Sequence, residues 1–494
     1  MNNLAGQSLS RNDFLILSGG ALGAGLVGCS GGGGNPGLVV PALIPSPASA
    51  AAAPPSVPSN TASISVSRSQ TGKLPPTLAG LSYEKSTISA NFFTSANASL
   101  IGCFARLGAS VLRIGGNSVD KTTWAPSGPG STSGQVAPSD VRALAAFLQS
   151  AGWRIIYGIN LATNTPASAA AEAAYASSTL GDSLFAFEIG NECDLYSSNG
   201  LRPSTYDISD FIAEWSTLAS AIRQTVPNAP LSGPASGGWH VATWTAPFAS
   251  AESSQIEMIT QHYYRADGLN ANSTMSLLLT PDPGLPIGLN ALEALANSLS
   301  LGYRLAECNS FYDGGAPNVS DAFGSALWAA DFMLMSAQYG SAGVNFHGGG
   351  DGPGYTPIAD NNVSVVGLRP VYYGMLFVAQ IAPGPMYVVN VTAEVAMTAY
   401  AIAGNDGATY VAIINKNPLK EATTTIALGE PASAATALVL SGSGLSATTG
   451  TTLGGAAIAN DGAWTPTGWH SLPVSGSNLT VRVAAATALL LRIT

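Results

Sequence analysis

The sequence predicts a (β/α)8 TIM barrel followed by an all-β sandwich. Between residues 76 and 380, eight short apolar or β-branched runs alternate with Ala-rich stretches of helical periodicity. From 381 onward that periodicity stops and Thr, Val, Gly and Ser dominate. An apolar share of 46% in 494 residues is enough for two cores, and charged residues make up only 9%. Low hydrophobicity and dense charge are what keep a chain disordered, and neither holds here.

The first segment, 1–28, holds Arg11, Asp13 and an apolar run over 14–27. That run is too short to cross ~30 Å of hydrocarbon and fits a signal peptide. Leu26-Val27-Gly28-Cys29 resembles the bacterial lipobox, which makes Cys29 the candidate lipidation site. An ordinary secretory signal is the alternative. Residues 29–60 are rich in Gly, Pro, Ser and Ala and read as a flexible linker. Export to the periplasm or the extracellular space is expected, with a lipid anchor at most and no membrane-spanning segment. In 61–75, the alternation Ile64-Ser65-Val66-Ser67 is expected to add a strand to the C-terminal sandwich.

The barrel, 76–380, rests on runs at 78–83, 111–115, 154–160, 184–190, 229–234, 256–262, 303–307 and 342–347. Segments 141–150, 208–222, 292–299 and 322–337 repeat apolar residues at helical spacing. Strands alternating with helices imply parallel pairing through right-handed crossovers. Eight such units close a barrel. A doubly wound open sheet is the rival, but no Gly-x-Gly-x-x-Gly follows the first run, which speaks against a dinucleotide site. In the last segment, 381–494, the runs 410–415, 436–440, 479–483 and 488–493 read as strands between turns.

Lys plus Arg number 18 against 28 Asp plus Glu, a net charge of −10. Binding nucleic acid requires clustered basic side chains, and the sequence has no such cluster. The same sparseness disfavours a grip on long sulfated polymers. Beyond Cys29 there are Cys103, Cys193 and Cys308, an odd number without C-x-x-C spacing. Buried free thiols are expected rather than a disulfide framework or a zinc site. The four histidines, His240, His262, His347 and His470, do not cluster by spacing, so no metal is expected.

Catalytic groups of a (β/α)8 barrel sit at the C-terminal ends of its strands. Glu192 follows the fourth run and Glu307 closes the seventh. By strand alternation, Glu188, Gly190 and Glu192 share one face, and Tyr303, Leu305 and Glu307 another. Two carboxylates meeting at the barrel mouth are the equipment for breaking a glycosidic bond. One protonates the leaving oxygen and the other stands opposite. A rim salt bridge is the alternative for each.

Asn191-Glu192 ending strand four and Glu307 ending strand seven resemble the retaining (β/α)8 glycosidases. Several segments are similar to motifs of the heparanase and β-glucuronidase family. They are Gly80-Leu81-Ser82-Tyr83-Glu84, Leu112-Arg113-Ile114-Gly115-Gly116-Asn117, Phe187-Glu188-Ile189-Gly190-Asn191-Glu192 and His262-Tyr263-Tyr264. The resemblance runs over residues 60–494 and includes the terminal sandwich. It implies an exo-acting retaining hydrolase of terminal β-linked glucuronic acid, working by double displacement without a cofactor. Glu192 would be the acid/base and Glu307 the nucleophile. Arg113 would hold Glu307 ionised, or pair with Glu188 in the core. Tyr264 would donate to Glu307, Asn191 would bind the sugar 2-OH, and Glu84 would bind further sugar hydroxyls. His347 would do likewise, unless it is a core histidine.

The uronic carboxylate needs a receiver, and the barrel loops carry few Lys or Arg. Backbone N–H groups of Gly-rich loops, with a Tyr hydroxyl, can serve instead. Loops 310–315 and 347–355 qualify and contribute Tyr312 and Tyr355, with Tyr312 favoured. Asp313 and Asp351 sit awkwardly beside an anion. Two other readings stay open. One is an endo-acting hydrolase of acidic polysaccharides, which would need an open basic cleft. The other is a cell-surface carbohydrate-binding protein without turnover. A monomer is expected.

Overall fold

The computed structural model describes residues 60–494. The expected signal peptide over 1–28, the candidate lipidation site Cys29 and the expected linker up to residue 59 lie outside them.

Eight strands close a parallel barrel in chain order: Ala79–Glu84, Val111–Gly115, Arg154–Ile159, Leu184–Ile189, Leu231–Ser236, Met258–Tyr264, Gly302–Asn309 and Val344–Gly348. Each overlaps one of the runs expected from the sequence. Closure excludes the open doubly wound sheet, because the eighth strand pairs back onto the first, Val344 opposite Ala79 and Gly348 opposite Tyr83. Strands covered on both faces read as continuous apolar runs, and Val111–Gly115 and Val344–Gly348 are buried throughout.

The surrounding helices begin where the chain supplies starters. Pro138, Pro166 and Pro370 occupy the first turns of Pro138–Ala151, Pro166–Leu180 and Pro370–Ala379. Asp207 and Asp210 form a reciprocal capping box on Ile208–Thr225. No helix among the described residues is long and apolar enough to cross a membrane.

The floor of the barrel is polar. Arg304 is fully buried and donates to Asn345 Oδ1 at 2.6 Å, Thr77 O at 2.8 Å and Ala342 O at 3.1 Å. Asn345 in turn donates to Leu81 O and Val111 O, at 2.9 and 2.8 Å. With only neutral acceptors around it, burial pushes the guanidinium down to about 9.

The β domain gathers strands from both ends of the described chain. Asn60–Leu74 pairs antiparallel with Gly384–Ala393, Ile64 opposite Val391, and parallel with Ala422–Ala427. Antiparallel strands Met397–Ala403, Thr409–Asn415, Thr487–Ile493 and Ala435–Ser441 continue the sheet. Its own apolar core includes Ile64, Val66, Val411, Ile413, Leu479 and Leu491. Asp331, on the barrel helix Gly324–Gln338, fastens this domain to the barrel. It accepts from Lys416 Nζ, Thr398 Oγ1 and Tyr400 OH, each at 2.7 Å. Cys103, Cys193 and Cys308 are buried free thiols.

Candidate active site

Glu307 lies at a register break. Leu305 pairs with Gln261 and Glu307 with His262, so two residues of strand seven oppose one of strand six. Such bulges re-aim side chains next to active sites, and simple alternation from Tyr303 through Leu305 does not place Glu307. Its Oε2 accepts from Arg113 Nη1 at 2.5 Å and its Oε1 from Tyr264 OH at 2.8 Å. His347 Nδ1 stands 3.5 Å from Oε2. Burial alone would raise this carboxyl. The charges of His347, His262 and Arg113, with the Tyr264 bond, outweigh it and hold the group at about 2.

Arg113 makes both of the contacts that the sequence left as alternatives. It holds Glu307, donates through Nε to Glu188 Oε2 at 2.7 Å, and donates through Nη2 to Asn191 Oδ1 at 2.9 Å. One buried guanidinium thus orders three side chains, from strand four, the turn after it and strand seven.

Glu192 is not on a regular strand either. The fourth strand stops at Ile189, Gly190 takes φ 82°, and Glu192 sits in the left-handed region at φ 48°. The expected sharing of a face with Glu188 therefore fails, because the left-handed turn re-aims the side chain. A non-glycine residue in that region is strained. Here it is locked by Glu192 N donating to Ala235 O at 2.9 Å and Leu195 N donating to Glu192 O at 2.8 Å. The carboxyl lies against Gly237, where a Cβ would fall 2.8 Å from Glu192 Cδ. Its Oε1 is 3.0 Å from His262 Nδ1. Single ligating atoms of Glu192, His262 and Glu307 all fall within 4.8 Å of one another. Three such donors could hold a cation, but both Glu307 oxygens already have donors and the Arg113 charge opposes one. The set reads as two acids and an imidazole.

Around this pair the other expected residues assemble at the barrel mouth. Glu84 accepts from the backbone N–H of Asn117 at 3.2 Å and of Ser118 at 2.7 Å, and its Oε1 is 3.7 Å from His347 Nε2. Burial pushes its carboxyl up, but the nearby His347 imidazole and the Ser118 contacts bring it below the usual value. His347 is buried and bridges, with Nδ1 at 3.1 Å from Ser82 Oγ. Burial pulls His347 down, and Glu307 and Glu84 more than reverse this, so it is held above its ordinary value.

The rings of Tyr312 and Tyr355 each lie 6.3 Å from that of Tyr264, and Tyr355 lies 6.1 Å from His347. Tyr312 is 41% exposed, whereas Tyr355 is buried. Asn309 fixes the loop that carries Tyr355 by donating to His347 O at 2.8 Å and Tyr355 O at 3.0 Å. Asp351, expected to oppose an anion, is paired with Arg369 at 3.1 Å.

His262 as partner of Glu192, and Asn309, were not singled out from the sequence. His262 was within reach, since alternation puts it on the face of Tyr264. Asn309 follows Glu307 by two residues, but its role depends on the returning strand-eight loop, which spacing does not reveal.

Residues 399–490 match the profile described as the glycosyl hydrolase family 79 C-terminal beta domain. A β-glucuronidase of Aspergillus niger is 28% identical over 297 residues, which is 53% of this chain and 54% of that protein. A β-glucuronidase of Neurospora crassa is 27% identical over 320 residues, 56% of each chain. The chain thus spans about half the length of the curated relatives it matches. Among solved structures, a 4-O-α-L-rhamnosyl-β-D-glucuronidase from Fusarium oxysporum 12S superposes with a TM-score of 0.74 at 20% identity, over 87% of this chain and 99% of that one. The GH51 arabinofuranosidase from Xanthomonas axonopodis pv. citri gives 0.62 at 14% identity, over 88% and 100%. At these identities the structures attest the fold, a barrel with a β domain. Glycosyl hydrolase family 79 is the family whose C-terminal domain this chain matches, and proteins named β-glucuronidase are among its relatives in sequence.

Proposed function

We propose that the protein is an exo-acting, retaining β-glucuronidase. The observation that carries this reading is the placing of a Glu192 oxygen and a Glu307 oxygen within 4.8 Å. That bound fits the ~5–5.5 Å carboxyl separation of retaining enzymes better than the ~6.5–9.5 Å of inverting ones. The two acids are electrostatically unequal. Glu307 has Arg113 and Tyr264 on its oxygens and stays ionised. It attacks the anomeric carbon while Glu192 gives its proton to the leaving oxygen. Glu192, now a carboxylate, takes a proton from water in the second step, and Glu307 leaves as it arrived, an anion. Asn191, Glu84 and His347 would bind the sugar hydroxyls.

The uronic-acid part rests on the relatives named β-glucuronidase and on the tyrosine cluster. Tyr312 and Tyr355, with the glycine-loop amides, would receive the carboxylate, and the pairing of Asp351 with Arg369 removes one opposing charge. The test is a panel of nitrophenyl glycosides: β-glucuronide, β-glucoside, β-galactoside, β-xyloside and α-arabinofuranoside. Turnover of the glucuronide is expected to exceed that of the others. Turnover of the glucoside without the glucuronide would remove the uronic-acid assignment. Tyr312→Phe is expected to lower kcat/KM for the glucuronide more than for the xyloside, and equal losses would reduce Tyr312 to packing.

Export in a bacterium, with Cys29 as lipid attachment site, belongs to the same proposal and is supported by the leader sequence alone. Mass spectrometry of the N-terminal peptide tests it.

A further inference from the structure

The loop after strand five is built with more care than its connection requires. It runs from Ser236 through Gly237, Gly238 and Trp239 to His240. From below, Gln261 Nε2 donates to Ser236 O at 2.9 Å and to Gly238 O at 2.6 Å. From the side, the Asp194 carboxylate accepts from Gly237 N at 2.9 Å and Gly238 N at 3.3 Å. The same carboxylate meets His240 Nδ1 at 3.1 Å. The Asp194 side chain is 1% exposed, while that of His240 is 53% exposed. A buried acid therefore holds an open imidazole by one nitrogen. Nε2 has no partner among the described residues. The His240 carbonyl accepts from Trp244 N at 2.8 Å and starts the following helical segment, which opens with a π-turn over Val241–Thr245. Such turns are frequent at functional sites.

Position gives this loop a meaning. Gly237 lies against the Glu192 carboxyl, and Gly238 lies against the His240 ring, where a Cβ would fall 3.1 Å from Cε1. The glycine pair is a spacer with the acid/base on one end and the imidazole on the other. A group that takes its proton from Glu192 is the leaving group, so whatever lies over this spacer is the aglycone. The aromatic residue of the loop itself has its ring engaged elsewhere. Trp239 packs on Tyr263 at 5.4 Å and against Gly288. What remains for the aglycone is backbone without side chains and an oriented ring nitrogen.

We propose that the Gly237–His240 loop is the leaving-group subsite and that His240 is a specificity residue for hydroxylated, sugar-like aglycones, hydrogen-bonding one of their hydroxyls through Nε2. This inference rests on the glycosidase reading above. Asp194 is a positioning residue that holds the ring through Nδ1 and leaves Nε2 to meet the hydroxyl.

The test compares two leaving groups on one glycone. Wild type, His240→Ala and His240→Gln are assayed on a β-D-glucuronosyl disaccharide and on the p-nitrophenyl glycoside. If the panel above finds another glycone, the same pair is made with that sugar. His240→Ala is expected to lower kcat/KM on the disaccharide about tenfold more than on the nitrophenyl glycoside, the worth of one hydrogen bond, with the loss mainly in KM. His240→Gln, which keeps a polar atom near the Nε2 position, is expected to recover most of it. Equal losses on both substrates, or no loss on the disaccharide, would overturn the subsite while leaving the glycosidase reading intact. A wild-type protein that turns over no glycoside of either kind would overturn both.

Discussion

Replacing Tyr264 by Phe removes one hydrogen bond and little else. The hydroxyl donates to Glu307 Oε1 at 2.8 Å, and the flanking rings of Tyr312 and Tyr355 would keep a phenyl ring in place. A hydrogen bond to a charged acceptor is worth ~1.5–3 kcal/mol, and 1.36 kcal/mol corresponds to one pKa unit. The Glu307 carboxyl should therefore rise from about 2 to roughly 3–4. It stays below its ordinary value because the charges of His347, His262 and Arg113 remain. In the proposed mechanism attack requires the anion, so activity would be lost as pH falls through this pKa. The acid limb of kcat/KM should move upward by about one to two pH units. The second step should suffer too, because Glu307 leaves as an anion that has lost a donor. An energy of that size predicts a fall in kcat of roughly 10- to 100-fold, with a burst of nitrophenol as the glycosyl-enzyme accumulates. Stopped-flow measurements on a glucuronide with a good leaving group, repeated across pH, read both effects. An acid limb that does not move, together with an unaltered kcat, would refute the assignment of Tyr264 as a donor to the working nucleophile.

Glu307→Gln should cost a factor on the order of 10⁴ or more in kcat, as expected for loss of a nucleophile. It should also flatten the acid end of the stability curve. A carboxyl held below its ordinary value contributes stability that is complete above pH ~4.5 and lost as pH falls toward ~2, here roughly 3 kcal/mol. Urea unfolding of both proteins through that window measures the difference. Glu192→Ala with a good leaving group should regain turnover with azide and yield the β-glycosyl azide, whereas an α product would indicate inversion. At the domain seam, Asp331→Ala leaves Lys416 buried without its partner and should cost ~3–5 kcal/mol. A double variant, Asp331→Ala with Lys416→Met, should recover a large part of that in thermal unfolding, and failure to recover would mean that Thr398 and Tyr400 carry the contact.

The barrel was legible because its strands are buried on both faces. Runs such as Val111 to Gly115 are apolar almost without interruption, and the helices between them keep an apolar stripe. Pro166–Leu180 was harder to see, since Ala and Ser around the whole helix leave no contrast between faces. Strand Gly384–Ala393 was missed for a related reason: most of its residues are only partly buried and its polar and apolar positions do not alternate cleanly. The ordinals of Glu192 and Glu307 were readable, and so was their meeting at one end of the barrel. How each carboxyl is aimed was not. Glu192 turns on a left-handed residue held by the Ala235 carbonyl, and Glu307 on a bulge against His262. Both depend on neighbouring strands that only closure of the barrel supplies. The meeting of Asp194 with His240 is of the same kind, since it joins two loops that share no local pattern.

The strand Asn60–Leu74 has a consequence for how the molecule is made. It belongs to the β domain but is synthesised before the barrel. Ala62 must wait for Ala393, about 330 residues later, which at ribosomal rates of ~5–20 residues per second is roughly 15 to 65 s. During that interval its alternating edge has no native neighbour and is open to mispairing. The barrel can close in the meantime, but the sandwich cannot form until the ribosome has nearly finished. A fragment beginning at 381 would lack an internal strand of its own sheet, so cutting the chain between the domains should yield an insoluble C-terminal half, and supplying 60–75 in front of it should restore solubility.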